Sequence, residues 1–384
     1  MRLRSVKITS LELTDFRNIQ QLTLVPGPGV NVIYGDNAQG KTNLLEAVWL
    51  FTGGRSFRGA TQSELLPFGK QNGRLTVGFE AAGRPQTAQL TLGSKAAAHL
   101  NGVPLESRAK LAGQFPAVVF SPEHLSLIKD GPSGRRRLLD GAISQILPRY
   151  GKHLGELNRV LAQRAALLGE IARRNQPESL LDIWDERMAC LSWYIIKARG
   201  RYTARLREHA MRIYEGMSAG AEAFDLAYRT TLPLEGPPWE GDGTSSIYRA
   251  LLAARREDIR LGATTIGPHR DDLEITLDGK SARAFGSQGQ QRSCALALKL
   301  AECTLIKEVL EEQPVILLDD VLSELDQGRR DYLLSGLGGS QVFITCCDRE
   351  AFARLGQPRC FQVRQGAIIS EEGGCGDVSA SGAG

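Results

Sequence analysis

The sequence has no apolar run of the ~18 residues that a membrane-spanning helix needs, so no transmembrane segment is expected. It has no secretory leader pattern either. Met1-Arg-Leu-Arg-Ser-Val-Lys-Ile is basic but leads into alternating polar and apolar residues rather than an apolar block. Metal-type cysteine spacing is missing: the seven cysteines include no C-x-x-C, and the closest pair, Cys346-Cys347, is adjacent. An odd, scattered set excludes a disulfide framework and predicts buried free thiols in a reducing compartment, hence the cytoplasm. Charge of one sign is scarce too, because 47 basic residues face 43 acidic ones for a net charge of +4. Charged partners must then be met by local clusters, not by a global field. What remains, 42% hydrophobic and 23% charged with 6% aromatic residues over 384 positions, is an ordinary globular chain with room for two or three packed units.

Alternation over Val6–Phe16 and Gln20–Val25 predicts two strands joined at Arg17-Asn18. Val30-Asn-Val-Ile-Tyr34 is a short apolar strand, and helical spacing follows over Thr42–Phe51. Three β segments of a small meander are expected between Arg74 and Leu105, and one more buried strand over Phe115–Phe120. Residues 134–220 change character. Leu154, Leu157, Leu161, Leu168 and Ile171 recur at heptad spacing interrupted by Arg164. After Arg173-Arg-Asn-Gln-Pro177 the series Leu181, Trp184, Met188, Leu191, Ile195, Ala198, Tyr202 resumes. That pattern predicts two long antiparallel helices. Gly236–Gly243 reads as a linker. A helix from Gln290 to about Glu312, strands over Val315–Leu318 and Gln341–Thr345, and a disordered tail from Glu371 complete the reading.

Three motifs carry chemistry. Gly35-Asp36-Asn37-Ala38-Gln39-Gly40-Lys41-Thr42 is a complete G-x-x-x-x-G-K-[ST] loop between an apolar strand and a helix. Backbone N–H groups of such a loop converge on phosphate oxygens at a helix N-terminus, with Lys41 on the β/γ-phosphates and the Thr42 hydroxyl on Mg²⁺. Pro314-Val-Ile-Leu-Leu-Asp319-Asp320 is a buried strand ending in two carboxylates, Asp319 for the metal and Asp320 to polarise an attacking water. Phe285-Gly-Ser287-Gln288-Gly289-Gln290 offers a hydroxyl and backbone amides at the start of a long helix, although Ser287 is also readable as a plain N-cap.

This last turn resembles the signature of ABC-type ATPases, and Ser323-Glu-Leu-Asp326 resembles their D-loop. Phe16-Arg17-Asn18, Gly53-Gly-Arg55-Ser-Phe-Arg58, Phe120-Ser-Pro122, Gly131-Pro132, the triplet Arg135-Arg-Arg137 before Leu138-Leu-Asp140, and Gly267-Pro-His-Arg-Asp-Asp272 sharpen the likeness. With them the chain resembles the RecF family from about residue 6 to residue 366. The resemblance implies an α/β P-loop NTPase, an ABC/SMC-type ATPase head in two lobes with an inserted antiparallel helical arm. The expected divisions are 1–133 for the N-terminal lobe, 134–235 for the arm, 236–370 for the C-terminal lobe and 371–384 for the tail. It implies ATP and Mg²⁺ as cofactors, with Arg17, Asn18, the loop Gly35–Thr42, and Ser287, Gly289 and Gln290 at the nucleotide. Ser287–Gln290 would come from a second copy of the chain. It further implies a weak DNA-stimulated ATPase that dimerises on ATP, binds duplex DNA and single-strand gap junctions, and helps load recombinase beside mediator proteins of the RecO and RecR type.

The sequence departs from the wider ABC pattern in three places. Asp320 stands for the usual catalytic Glu, no His follows the strand ending at Thr345, and Ser121-Pro-Glu123 stands where a Q-loop glutamine belongs. These departures argue against rapid turnover and leave binding intact. Six cations between Lys197 and Arg212, with Glu208 as the lone acid there, form either a solvated helix face or a phosphate-contact surface. A transporter-type ABC subunit is the first rival, and the long insertion between loop and signature argues against it. A non-hydrolysing scaffold that uses ATP as glue is the second.

Overall fold

The computed structural model describes residues 4–234, 241–347 and 358–373. The chain folds into two compact units, one built from residues up to Ser126 and from Lys299 onward, the other from Leu127–Leu298. The second boundary falls inside the helix Gln288–Leu310.

In the first unit the expected opening hairpin forms as Lys7–Phe16 and Ile19–Leu24, with Arg17 in the turn at φ 55°. Ile8, Leu11, Leu13 and Phe16 are buried, and the two-residue alternation shifts by one at the register irregularity between Ile8 and Ser10 and again at Asp15 (φ 50°). The meander has four strands rather than three: Asn72–Ala81, Arg84–Gly93, Ala97–Leu100 and Val103–Leu105. They join the hairpin in a six-stranded antiparallel sheet ordered 19–24, 7–16, 72–81, 84–93, 97–100, 103–105. A second sheet runs 367–373, 359–364, 30–34, 342–346, 315–319, 117–120, parallel throughout except for its first, edge strand. Its central strands, Val315–Asp319 and Val342–Cys346, are buried along their whole length, so they read as nearly unbroken apolar runs.

The helix Lys41–Leu50 presents Leu44, Leu45, Val48 and Trp49 to a single core. Leu11, Phe16, Val119, Leu317 and Phe343 from both sheets meet it there. Each such side chain contributes about 1.5–3 kcal/mol by leaving water. Glu371–Gly373, expected to open a disordered tail, instead complete the edge strand Ala367–Gly373, where Glu371 pairs opposite Phe361. Residues 374–384 lie outside the described residues.

The second unit holds the helices Pro132–Ile146, Pro148–Ala172, Leu181–Ser218 and Thr244–Leu261, with a small sheet of 224–229, 272–277 and 280–281. The segment expected as an arm over 134–235 thus folds together with residues up to 298. The two long helices turn where Arg173–Pro177 predicted, with Arg174 at φ 63°. They pack antiparallel, crosslinked by Arg187–Glu156 at 2.7 Å and Arg164–Asp185 at 2.8 Å.

Arg164 does not interrupt the apolar stripe by facing water. It is 0% exposed and also donates to Asp258 (2.7 Å) and Thr264 (2.8 Å), so a charge occupies a core position of the heptad. Leu161, Trp184 and Ala198 of the expected stripe are only half-buried, and Asp185, Ser192 and Arg199 take inner positions instead.

Of the linker read over Gly236–Gly243, residues 236–240 lie outside the described residues, and Gly243 packs closely on the Trp193 ring. The cysteines depart from expectation. Cys294 and Cys346 are buried and outside any disulfide, but Cys190 and Cys347 are exposed, and Cys360 is disulfide-bonded.

Candidate nucleotide site

Parallel α/β sheets place their chemistry at the carboxyl ends of the strands. Here the strands Val30–Tyr34, Val342–Cys346, Val315–Asp319 and Ala117–Phe120 lie side by side and deliver Gly35, Cys347, Asp320 and Ser121 at that edge.

The loop Gly35–Gly40 has left-handed backbone at three points: Gly35 (φ 145°), Ala38 (φ 63°) and Gly40 (φ 110°). The torsion at Gly40 favours glycine, and a side chain there would come within 2.8 Å of the Asn18 carboxamide and displace it. Lys41, 8% exposed, donates its ammonium to the carbonyls of Gly35 (2.6 Å) and Asp36 (2.8 Å), with the Cys347 sulfur 3.9 Å away. The lysine is thus held over the mouth of its own loop, where an anion with stronger acceptors can take over the contact.

The two expected metal ligands meet. The Thr42 hydroxyl donates to Asp319 Oδ1 at 2.8 Å. A hydroxyl and a carboxylate at one spot are the hard oxygen donors that Mg²⁺ prefers, so the residues present fit the ion. Bound there, Mg²⁺ would neutralise phosphate charge. Asp319 is 5% exposed, and burial holds its carboxyl above the usual range, with hydrogen bonds from Thr42 and Thr345 pulling the other way.

Thr345 is a site residue that the sequence motifs do not single out. Its hydroxyl donates to Asp319 Oδ1 (2.9 Å) and accepts from the Asp320 N–H (2.9 Å), so one side chain spaces the paired acids. Asp320 itself is exposed at φ 49° and takes a hydrogen bond from Ser323 of the D-loop-like segment. Glu123, on the short helix after Phe120, is close enough to push the Asp319 carboxyl further up. Both residues sit at or just beyond the ends of strands that flank Asp319, and that strand-end position is the one signal the sequence offers for them.

The remaining predicted residues divide. Arg17 directs its guanidinium at Glu46 (2.9 Å twice), a fully buried acid on the helix Lys41–Leu50 that also binds Ser56, and at the Glu64 carbonyl (2.9 Å). Asn18 accepts from Asn43 at 2.8 Å and rests on Gly40. Both therefore brace the loop and its helix.

Ser287 and Gln290 form a reciprocal capping box: the Ser287 N–H donates to Gln290 Oε1 (2.7 Å), and the Gln290 N–H to the Ser287 hydroxyl (3.2 Å). The plain N-cap reading is thereby realised, and Ser287 is also exposed at the turn. This turn, with Gly289, belongs to the second unit, while Lys41, Thr42, Asp319 and Asp320 belong to the first.

Several of the arm cations are engaged. Arg199 is 2% exposed and bound to Asp140, Tyr150 and the Pro268 carbonyl. Arg207 pairs with Asp225, and Arg212 lies 2.8 Å from His209 Nδ1. Arg199 therefore leaves the proposed phosphate-contact face.

Fold and site together define a P-loop ATPase head of the ABC/SMC type. A family model for the RecF/RecN/SMC N-terminal domain matches residues 7–368. DNA replication and repair protein RecF of Heliobacterium modesticaldum is 41% identical over 94% of this chain and 99% of its own. RecF of Acetivibrio thermocellus is 39% identical, over 90% and 94%. The solved structure of the recombination mediator protein RecF-ATPrS in the RecFOR pathway superposes with a TM-score of 0.89 at 34% identity, covering 96% and 99% of the two chains. An Smc head domain from Pyrococcus furiosus shares the fold at a TM-score of 0.53 and 18% identity, over 96% of each chain. The chain belongs to the RecF family.

Proposed function

We propose that this chain is an ATP-dependent DNA-binding protein of DNA replication and repair, in which ATP drives two copies together. The observation that carries the reading is the division of parts. Phosphate-loop lysine, metal donors and acids converge in one compact unit, while the Ser287–Gln290 turn, with Ser287 exposed, belongs to the other. A γ-phosphate held by Lys41 and Mg²⁺ on one copy meets that turn from its partner, so neither copy holds a complete site. The structures of RecF-ATP and RecF-ATPrS, at 34% identity to this chain, support nucleotide binding here.

In this reading the closed dimer grips duplex DNA and single-strand gap junctions through backbone phosphates, which carry no sequence information. It helps load recombinase together with mediator proteins of the RecO and RecR type, and DNA-stimulated hydrolysis reopens it slowly. Asp320, one methylene shorter than a Glu, orients the water from an exposed position, in keeping with slow turnover. Sedimentation with Mg²⁺-ATP, Mg²⁺-ADP or no nucleotide, with and without duplex DNA, tests the proposal. Dimers with ATP alone, and tighter DNA binding by them, are expected. Equal self-association in all three conditions contradicts it.

A further inference from the structure

The phosphate loop is not held by its own flanking strand and helix alone. The strand Arg359–Arg364 lies parallel to Val30–Tyr34 with Gln362 opposite Tyr34, which brings the chain after it alongside the loop. A Cβ on Gly35 would collide with the Val363 carbonyl oxygen, so the loop's entrance is pressed against that strand. The chain then reverses at Gln365 (φ 49°) and Gly366 (φ 76°), a two-residue turn with both centres left-handed, before the edge strand Ala367–Gly373.

Both amides of this turn point at one loop residue. Gln365 N–H donates to Gln39 Oε1 at 2.7 Å, and Gly366 N–H donates to the Gln39 carbonyl at 2.8 Å. On the other side the turn is wedged against the opening hairpin, since a Cβ on Gly366 would collide with the Asn18 carbonyl oxygen.

A trans peptide points its C=O and N–H in opposite directions. The bond that holds the Gln39 carbonyl toward Gly366 therefore aims the Gly40 N–H the other way, and anion-binding loops depend on such amides turning inward together. We infer that the turn Gln365–Gly366 is a positioning element of the nucleotide site, one that keeps the phosphate loop in its anion-ready form before ATP arrives. The inference rests on the nucleotide reading above and adds to it a segment 326 residues downstream of the loop residue it holds. A preformed loop lowers the cost of binding and adds nothing once phosphate is bound. Loss of the turn's grip thus raises KM and leaves kcat at saturating ATP unchanged.

Full-length Gly366→Ala and Gln365→Asn decide the matter. The alanine adds a Cβ that has no room against the Asn18 carbonyl and strains a positive-φ backbone, whereas asparagine accepts left-handed backbone and keeps its N–H. By calorimetry, Gly366→Ala is expected to bind Mg²⁺-ATP and Mg²⁺-ADP about 10-fold more weakly, of the order set by losing one or two hydrogen bonds. Its kcat should hold, and its nucleotide-free melting temperature should stay within about 5 °C of wild type. Gln365→Asn should match wild type throughout. Amide hydrogen exchange on the nucleotide-free wild-type protein supplies an arm that needs no mutant: slow exchange at Gln365 and Gly366 supports the clamp. Free exchange there, or wild-type affinity in Gly366→Ala, overturns it. A wild-type protein that binds no ATP removes the nucleotide reading itself, and the inference with it, an outcome distinct from either.

Discussion

Two sets of charged residues, one in each compact unit, are used in opposite ways. In the first, Lys41, Asp319 and Asp320 sit at strand and loop ends along one sheet edge, bonded to backbone and hydroxyls that a ligand can replace. In the second, Arg164 and Arg199 are sealed inside and committed to carboxylates: Asp185 and Asp258 for one, Asp140 for the other. Exchangeable partners make a site, whereas fixed partners make a framework. The Arg135-Arg-Arg137 triplet and the Gly267–Asp272 motif fall on the framework side: Arg135 grips Asp272 at 2.8 and 2.9 Å, and Arg136 donates to the Asp271 carbonyl. These motifs serve the packing of the second unit, where burial also holds the Asp271 carboxyl above the usual range.

The largest effect should come from breaking the framework. Arg164→Ala takes the ion-pair partner from the buried Asp258 and leaves the buried Asp185 with Arg255 alone, and losing one partner of such a network costs about 3–5 kcal/mol. Chemical denaturation should show that loss, most of it in the helical unit. Arg201→Ala, at an exposed position of the helix Leu181–Ser218, should stay within about 0.5 kcal/mol of wild type. Equal effects would erase the distinction between inner and outer cations.

Next in size are the exchangeable groups. Lys41→Ala removes the phosphate cation from a nearly buried position and should weaken ATP binding about 100-fold or more, the cost of a lost charge-assisted contact of about 1.5–3 kcal/mol or beyond. Calorimetry at unchanged melting temperature is the check. Asp320→Asn should keep ATP affinity and hold the dimer closed, whereas Asp319→Asn should lose the Mg²⁺ dependence of binding. Single-turnover hydrolysis at the wild-type rate in Asp320→Asn would reassign the water-orienting role.

A smaller and sharper effect concerns pH. Burial lifts the Asp319 carboxyl, while hydrogen bonds from the Thr42 and Thr345 hydroxyls pull it down without cancelling the rise. Mg²⁺ needs the carboxylate, so Mg²⁺-ATP affinity should fall as pH drops through this raised value. For folding the sign is reversed. A raised carboxyl favours the nucleotide-free fold fully below the ordinary Asp range, and that contribution is lost as pH rises through the raised value. Thr345→Val deletes one hydroxyl, should raise the carboxyl further, and should move the acid limb of Mg²⁺-ATP binding to higher pH. An unmoved limb would show that Thr345 does not tune the metal site.

The same contrast explains what can be read from the sequence. The loop Gly35–Thr42, the acids after Leu318 and the flanking strands are legible because their chemistry is local: each motif lies within a few residues of the element that presents it. The inner position of Arg164 and Arg199 is not, since heptad reasoning marks core positions by apolar side chains, and the partners Asp258 and Asp140 lie 94 and 59 residues away. Thr345 and Glu123 are hidden for a related reason, because only the strand order brings their strands beside the one that ends at Asp319. The hold of Gln365–Gly366 on Gln39 is likewise a product of topology.

The central claim is that two copies complete one another's sites, and mixing two inactive variants tests it most directly. Lys41→Ala lacks the phosphate lysine, and Ser287→Arg blocks the turn offered to the partner. A heterodimer of the two has one site with both lesions and one with neither. ATPase activity should therefore return on mixing in proportion to heterodimer formed, while each variant alone stays monomeric and inactive. No recovery at any mixing ratio, or a wild-type monomer whose specific activity is independent of concentration, would contradict the shared site.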